Sequence, residues 1–290
     1  MAMEILDETR CHLGEGPTYD PEQDKAWWFD IREKRLLEHD FATASTSIHD
    51  LPLMGSMLGV VDEQTQLIAT ENGLYIRDAA TGALTLHHPL EADNPATRSN
   101  DGRVHPSGAI WIGTMSKQEE MGAGAIYWFF KGELRQLYPA ISIPNAICFS
   151  GDGGTAFFTD TRQNKLMTVA VDPANGLPRG EPSLLYDHGS GKGGLDGAVV
   201  DADGAIWVAC WGGSCVTVIS PLGEVARTVP LPTLQPSCPA FIGRDLGRLL
   251  VTSAWQFMDE AQRGADLHAG KTFVFDDVAV RGRAEPRVVL

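Results

Sequence analysis

The stretch Gly197-Ala-Val-Val-Asp-Ala-Asp-Gly-Ala-Ile-Trp-Val-Ala209 decides the fold. Valines, an isoleucine and a tryptophan flank an Asp/Gly-rich turn, which is the composition of two short strands joined as a hairpin. The same arrangement recurs along the chain. Gly16-Pro-Thr-Tyr-Asp precedes Ala26-Trp-Trp-Phe-Asp, Leu58-Gly-Val-Val-Asp precedes Gln66-Leu-Ile-Ala-Thr, and Gly102-Arg-Val-His precedes Ala109-Ile-Trp-Ile-Gly. Ala146-Ile-Cys-Phe-Ser with Thr155-Ala-Phe-Phe-Thr, and Pro239-Ala-Phe-Ile-Gly with Arg248-Leu-Leu-Val-Thr, complete six copies. Trp28, Ile68, Trp111, Phe157, Trp207 and Leu250 then recur at roughly 40 to 50 residues, the length of a four-stranded propeller blade.

Further strand-like stretches follow the pairs, such as Gly73-Leu-Tyr-Ile-Arg with Leu84-Thr-Leu, and supply the outer halves of blades. The expected fold is all-β: a six-bladed β-propeller with four-stranded antiparallel blades, formed by residues 1–290 as a single domain. The terminal stretches Met3-Glu-Ile-Leu and Arg287-Val-Val-Leu are expected to pair and close the ring. A doubly wound α/β fold would need a helix between successive strands, and the intervals here are short and Gly-rich.

The chain of 290 residues is 43% apolar, enough for a core, and carries 31 glycines and 17 prolines for turns. A formal net charge of −15 repels phosphate backbones and anionic lipid, so neither nucleic acid nor membrane is an expected partner. Without a signal-peptide-like apolar run near Met1, the expectation is a cytoplasmic protein. Its five cysteines lack CxxC spacing and are expected to be buried free thiols, with Cys210 and Cys215 close enough in sequence to be bridged.

In a propeller the first strand of every blade lines the central channel, so the starts of those strands converge on one mouth. Counting back along each gives a ring of Glu15, Met57, Asn100, Asn145, Asp196 and Cys238. Turn chemistry explains Gly14-Glu-Gly-Pro or Asn100-Asp-Gly singly, but not their shared register. Two carboxylates with amide oxygens form a hard ligand set suited to one divalent cation: Ca²⁺, Mg²⁺ or Mn²⁺, with Zn²⁺ and Fe²⁺ also compatible. The histidines show no HxH or HExxH spacing, and His87-His88 falls in an outer strand. No Gly-x-Ser-x-Gly elbow supports a serine nucleophile.

Leu13-Gly-Glu-Gly-Pro, Asn100-Asp-Gly with Gly113-Thr-Met, Ile143-Pro-Asn with Thr159-Asp-Thr, and Leu195-Asp-Gly with Trp207-Val-Ala-Cys-Trp-Gly-Gly closely resemble the gluconolactonase, regucalcin and senescence-marker-protein family. The resemblance spans nearly the whole chain. It implies a metal-dependent lactonase, hydrolysing a sugar lactone to the aldonic acid. Carried over by motif, the metal ligands fall on Glu15, Asn145 and Asp196, the last also the general base, and the substrate-binding residues on Arg98, Asn100 and Asp101. Where mammalian members have Gly-Thr-Met-Ala-Glu-Glu, this chain has Gly113-Thr-Met-Ser-Lys-Gln and then Glu119-Glu120, so either Gln118 stands in for the second glutamate at the substrate or a shifted loop brings in Glu119. Two other classes stay open: a non-catalytic Ca²⁺- or ligand-binding propeller, and a metal-dependent esterase or phosphotriesterase.

Overall fold

The computed structural model describes residues 2–290 and forms six four-stranded antiparallel sheets. Blade 1 runs Gly14–Asp20, Lys25–Asp30, Arg35–Asp40 and Ser45–Asp50; blade 2 runs Gly55–Val60, Thr65–Thr70, Gly73–Asp78 and Leu84–Pro89. Blade 3 comprises Thr97–Val104, Ile110–Ser116, Gly124–Phe130 and Glu133–Ile141, and blade 4 comprises Pro144–Phe149, Thr155–Asp160, Lys165–Ala170 and Ser183–Asp187. Blade 5 holds Gly194–Val200, Ile206–Trp211, Cys215–Ile219 and Val225–Pro230. Blade 6 holds Pro236–Ile242, Arg248–Ser253 and Thr272–Phe275, with Met3–Asp7 as its outermost strand. The repeated pairs read from the sequence are the inner halves of these blades.

The closure differs from the expected one. Met3–Asp7 pairs with Thr272–Phe275, not with the C-terminus. Residues 281–290 instead cross the end of the channel where the inner strands finish. The Val288 N–H donates to Val60 O and the Val289 N–H to Gly108 O, while Arg287 pairs with Asp20 at 3.0 Å and with Glu22 at 2.6 Å. Two arginines and a glutamate in Arg283-Ala-Glu-Pro-Arg287 suit this bridging role better than a sheet edge.

Each blade interface carries one apolar cluster, supplied by the alternating faces of the strands. Trp207 of blade 5 meets Phe241 of blade 6 edge-on, with centroids 5.5 Å apart, and Trp111 of blade 3 meets Phe149 of blade 4 at the same separation. The second-strand tryptophans among them, Trp111 and Trp207, are what made the repeat legible. Truncating one to alanine would cost roughly 3–5 kcal/mol. The only α-helix among the described residues, Glu260–Ala265, is capped by Asp259 and lies in the excursion before Thr272.

One irregularity repeats around the ring and positions the site. The inner strand of every blade slips register near its start, at Glu15/Thr18, Gly55/Met57, Ser99/Gly102, Asn145/Cys148, Leu195/Ala198 and Pro236/Pro239. Such bulges re-aim side chains out of the sheet alternation. Gly16 accordingly has φ +58°, where an added Cβ would collide with Ser56 O, and Ala146 bears φ +53° despite its side chain. That conformation costs about 1–2 kcal/mol at a non-glycine residue, a strain placed beside Asn145.

Candidate functional site

The approaches to three bulges are tied down by side chains from the ends of second strands and, for Asn164, from the turn that follows. Asp30 accepts the N–H groups of His12 at 2.9 Å and Leu13 at 3.1 Å, fixing the chain ahead of Glu15. Asp160 does the same for Ser142 at 2.9 Å and Ile143 at 3.1 Å ahead of Asn145. Asn164 Oδ1 accepts the Leu195 N–H at 2.8 Å, next to Asp196. These bonds satisfy backbone donors that the bulges and turns would otherwise leave buried and unpaired.

The result is a cavity of about 320 Å³ at the mouth where the inner strands begin, lined in part by Glu15, Arg98, Asn100, Asn145 and Asp196. Leu13, Met115, Ile143, Trp211 and Phe257 give it an apolar side, and Thr161, Arg162, Glu119 and Gln256 complete its polar wall. Five of the residues singled out in the sequence thus meet at one place. Asp101 does not line it: the side chain is buried behind the wall and accepts the Ile147 N–H at 2.7 Å. Gln118 is exposed and outside the lining, and Glu119 stands there instead, its Oε2 2.7 Å from Arg162 Nη2. Of the other ring positions, Met57 and Cys238 are buried below the mouth.

An amide relay sets the orientation of the polar groups. Arg98 Nη1 donates to Asn100 Oδ1 at 2.8 Å, Asn100 Nδ2 donates to Asn145 Oδ1 at 2.9 Å, and Asn145 Nδ2 donates to Thr161 Oγ1 at 2.9 Å. Thr161 in turn donates to Leu195 O at 2.7 Å. With its nitrogen committed, Asn145 keeps its oxygen toward the channel and one lone pair beyond the bond from Asn100.

Glu15 and Asp196 are neighbours across this mouth. Burial, followed by the nearby Asp101 charge, pushes the Glu15 carboxyl up to about 8, against the pull of the Gly16 N–H and Arg98. Burial, then Glu15 and Asp101, pushes Asp196 well above the ordinary carboxyl range. Asp101 itself is raised to about 6 by burial despite Arg103. Among the described residues neither Glu15 nor Asp196 has a protein cation at ion-pair distance; Arg98 attracts both across the cavity, but burial and their mutual repulsion prevail. No cluster of three or more His, Cys, Asp and Glu occurs among the described residues, and this set is two carboxylates plus an amide.

The histidines and cysteines stand apart. His12 stacks on Trp255 at 3.9 Å, and His87 and His88 lie in the outer strand of blade 2. Cys210 and Cys215 are opposite one another in blade 5, and all five cysteines are free thiols.

A six-bladed propeller whose channel mouth gathers two unpaired carboxyls, an oriented amide and a buried arginine defines a class of small-molecule site proteins. The profile described as SMP-30/Gluconolactonase/LRE-like region matches residues 13–255, and the chain belongs to that family. It is 52% identical over 281 residues to an inferred sugar lactone lactonase of Rhizobium meliloti (strain 1021), covering 97% of this chain and 95% of that one. To the L-arabinolactonase of Azospirillum brasilense it is 31% identical, covering 93% and 90%. The crystal structure of a calcium-binding protein, regucalcin, of Agrobacterium tumefaciens (strain C58) superposes with a TM-score of 0.98 at 49% identity, covering 100% of this chain and 98% of that one.

Sequence reasoning missed Thr161, Asn164 and Asp160. Each has a signal in the stretch Thr159-Asp-Thr-Arg-Gln-Asn164, which has the composition of a turn and reaches the site only through its side-chain bonds to neighbouring strands.

Proposed function

We propose that this protein hydrolyses a sugar lactone with the help of one divalent cation held by Glu15, Asn145 and Asp196. The observation that carries the reading is the pair of buried carboxyls, with no cation at ion-pair distance, beside an amide whose oxygen is oriented into the same cavity. Such oxygens suit a hard cation with exchangeable water, and a bound cation would return both carboxyls to their ionised state. The lactonase names of the relatives agree with it.

As water adds to a lactone, negative charge grows on the carbonyl oxygen, and the cation supplies Lewis acidity there when bound. The chain's own groups do the rest. Asp196 orients the attacking water and accepts its proton, from a position fixed by the bulge and by the Asn164 bond to Leu195. Arg98, held by Ser99 O and Asn100 Oδ1, donates to sugar hydroxyls, and Asn100, whose two N–H groups are spent on Pro144 O and Asn145 Oδ1, accepts from one through its Oδ1. Of the two candidates left by the sequence, Gln118 and Glu119, it is Glu119 that contacts the substrate, from its place in the cavity wall. The apolar side formed by Met115, Trp211 and Phe257 covers the carbon face of the ring and sheds water from it.

The test is a pH-stat assay of aldono-1,4- and 1,5-lactones with metal-stripped protein, then with each divalent cation restored. Calorimetry should show one cation bound per chain, weakened at least tenfold in Asn145→Ala, since a lost ligand is worth more than 1.4 kcal/mol. Full turnover in stripped protein, or unchanged cation binding in that variant, sinks the assignment.

A further inference from the structure

Cys210 and Cys215 face each other across the hairpin made by the second and third strands of blade 5, as direct partners in the register of Ile206–Trp211 with Cys215–Ile219. Directly opposed residues of an antiparallel pair point to one face of the sheet, with Cα atoms about 4.5–5.5 Å apart. A disulfide needs about 4.4–6.8 Å between Cα atoms, so the backbone already has the spacing of a bridged pair. The sulfurs converge on one hydroxyl. Cys210 Sγ lies 3.3 Å and Cys215 Sγ 3.9 Å from Thr217 Oγ1, and both are free thiols.

The five thiols are unequal. Cys215 is half-buried, whereas Cys11, Cys148, Cys210 and Cys238 are buried. The hydrogen bond from Cys210 holds the Cys215 thiol below the ordinary range against the opposing effect of burial, and Thr217 and Lys192 pull the same way. Burial pushes Cys11, Cys148 and Cys238 up. A reachable thiolate with a second thiol beside it is the arrangement that reacts with peroxides, while buried thiols are inert. The pair also closes the base of the turn Trp211-Gly-Gly-Ser214, and Trp211 lines the cavity at the mouth. That turn has no slack: a Cβ added at Gly213 would collide with Lys192 O and one at Gly193 with Trp211 O, just ahead of Asp196 in the chain.

We propose that Cys210 and Cys215 form a redox-modification site, at which a hydroperoxide closes a disulfide across the base of the turn and locks Trp211 in the cavity wall. The Cys215 thiolate attacks one peroxide oxygen and the O–O bond breaks. Cys215 becomes a sulfenic acid, and the departing hydroxide takes up the proton the thiol had lost and leaves as water. The Cys210 sulfur then attacks the Cys215 sulfur, the S–O bond breaks, and the hydroxide leaves with the Cys210 proton as a second water. Two thiols lose two electrons and the peroxide gains them. The site stands apart from the lactonase reading, since none of these steps involves a lactone or the cation.

The experiment treats the full chain with limiting hydrogen peroxide and follows it by intact mass and peptide mapping. The chain should lose two hydrogens, mapped to a Cys210–Cys215 cross-link, about tenfold or more faster than any change at Cys11, Cys148 or Cys238, and dithiothreitol should reverse it. Cys210→Ser should halt the reaction at a Cys215 sulfenic acid that dimedone traps, and Cys215→Ser should leave Cys210 reduced. In the bridged protein, hydrogen exchange at the Gly212–Ser214 amides should slow by about threefold or more. A cross-link through another cysteine, oxidation of Cys11, Cys148 or Cys238 as fast as that of Cys215, or Cys210→Ser without a trappable sulfenic acid overturns the site. Unchanged exchange at Gly212–Ser214 overturns the lock on Trp211. The wild-type mapping needs neither variant, so a variant that fails to fold does not rescue the proposal, and a chain that hydrolyses no lactone is tested in the same way.

Discussion

The two ends of the central channel are alike in size and opposite in charge pairing. The open mouth encloses about 320 Å³, and a cavity of about 330 Å³ lies at the other end against the C-terminal segment. Volume therefore does not distinguish a site from a gap. Charge does. At the closed end Arg103 is paired with Glu285 and donates to Ala198 O at 2.9 Å, and Arg287 is paired with Asp20 and Glu22. At the open end Glu15 and Asp196 have burial and mutual repulsion, and Arg98 attracts them without coming within ion-pair distance. A fold that satisfies its buried charges so fully at one end leaves them unsatisfied at the other at a cost in stability, which is the usual mark of a site built for a ligand.

The comparison breaks most sharply through substitution at each end. Asp196→Asn should lower lactone turnover at saturating substrate by about 10³-fold or more, because it removes a ligand and the proton acceptor together. The same change should raise the melting temperature of metal-free protein, since one of two repelling buried carboxyls is gone. Glu285→Ala should do the reverse. It strands Arg103 as a buried unpaired cation and should cost about 3–5 kcal/mol in denaturant unfolding, with kcat and KM of the folded fraction little changed. Equal loss of activity in both variants would erase the distinction between the ends.

The pH dependence sharpens it further. A carboxyl whose folded pKa is raised favours folding at low pH, and that contribution is lost as pH climbs through the raised value. Glu15 rises from 4.5 to about 8 and Asp101 from 3.8 to about 6, so metal-free protein should lose stability between about pH 4.5 and 8 from this end of the channel. His39, His49 and His105 are lowered chiefly by burial and act in the opposite sense near neutrality. The difference between wild type and Glu15→Gln isolates the channel's share: the variant's thermal advantage should grow from pH 5 to pH 8 and vanish when a divalent cation is added. An advantage independent of pH would mean that Glu15 is already ionised and compensated.

How much of this could be read from the sequence follows from the range of the interactions. Blade number and the inner strand pairs were legible because Trp28, Trp111 and Trp207 repeat within local hairpins, where period and turn chemistry act over a few residues. Glu15, Asn100, Asn145 and Asp196 were legible for the same reason, as positions in a repeat. The closure was not. Met3–Asp7 and residues 287–290 are both short and β-compatible, and only the arginine and glutamate contacts of the tail with blades 1 and 3 decide which becomes a strand. Asp101 looked like a wall residue because it follows Asn100, yet the bulge between Ser99 and Gly102 turns it onto the Ile147 N–H.

The smallest expected effect concerns the loop where the sequence left two candidates. Gln118 and Glu119 are adjacent, but Glu119 has φ +58°, a left-handed residue that turns the chain just after Ser116, whose Oγ accepts the Gln118 N–H at 3.1 Å. That kink sends Gln118 outward to solvent and Glu119 inward to Arg162 at the cavity wall. Gln118→Ala should therefore leave kcat and KM within about twofold, as expected for an exposed side chain without partners across the mouth. Glu119→Gln should act further, because it frees the Arg162 charge and alters a group lining the cavity, with a KM change of about 1 kcal/mol on the best lactone. Glu119→Gly, which suits the positive φ but removes the carboxylate, separates loop geometry from contact: if it matches Glu119→Gln the carboxylate matters, and if it matches wild type the residue serves only the turn. A larger effect from Gln118→Ala than from either would show that the loop turns over when substrate binds.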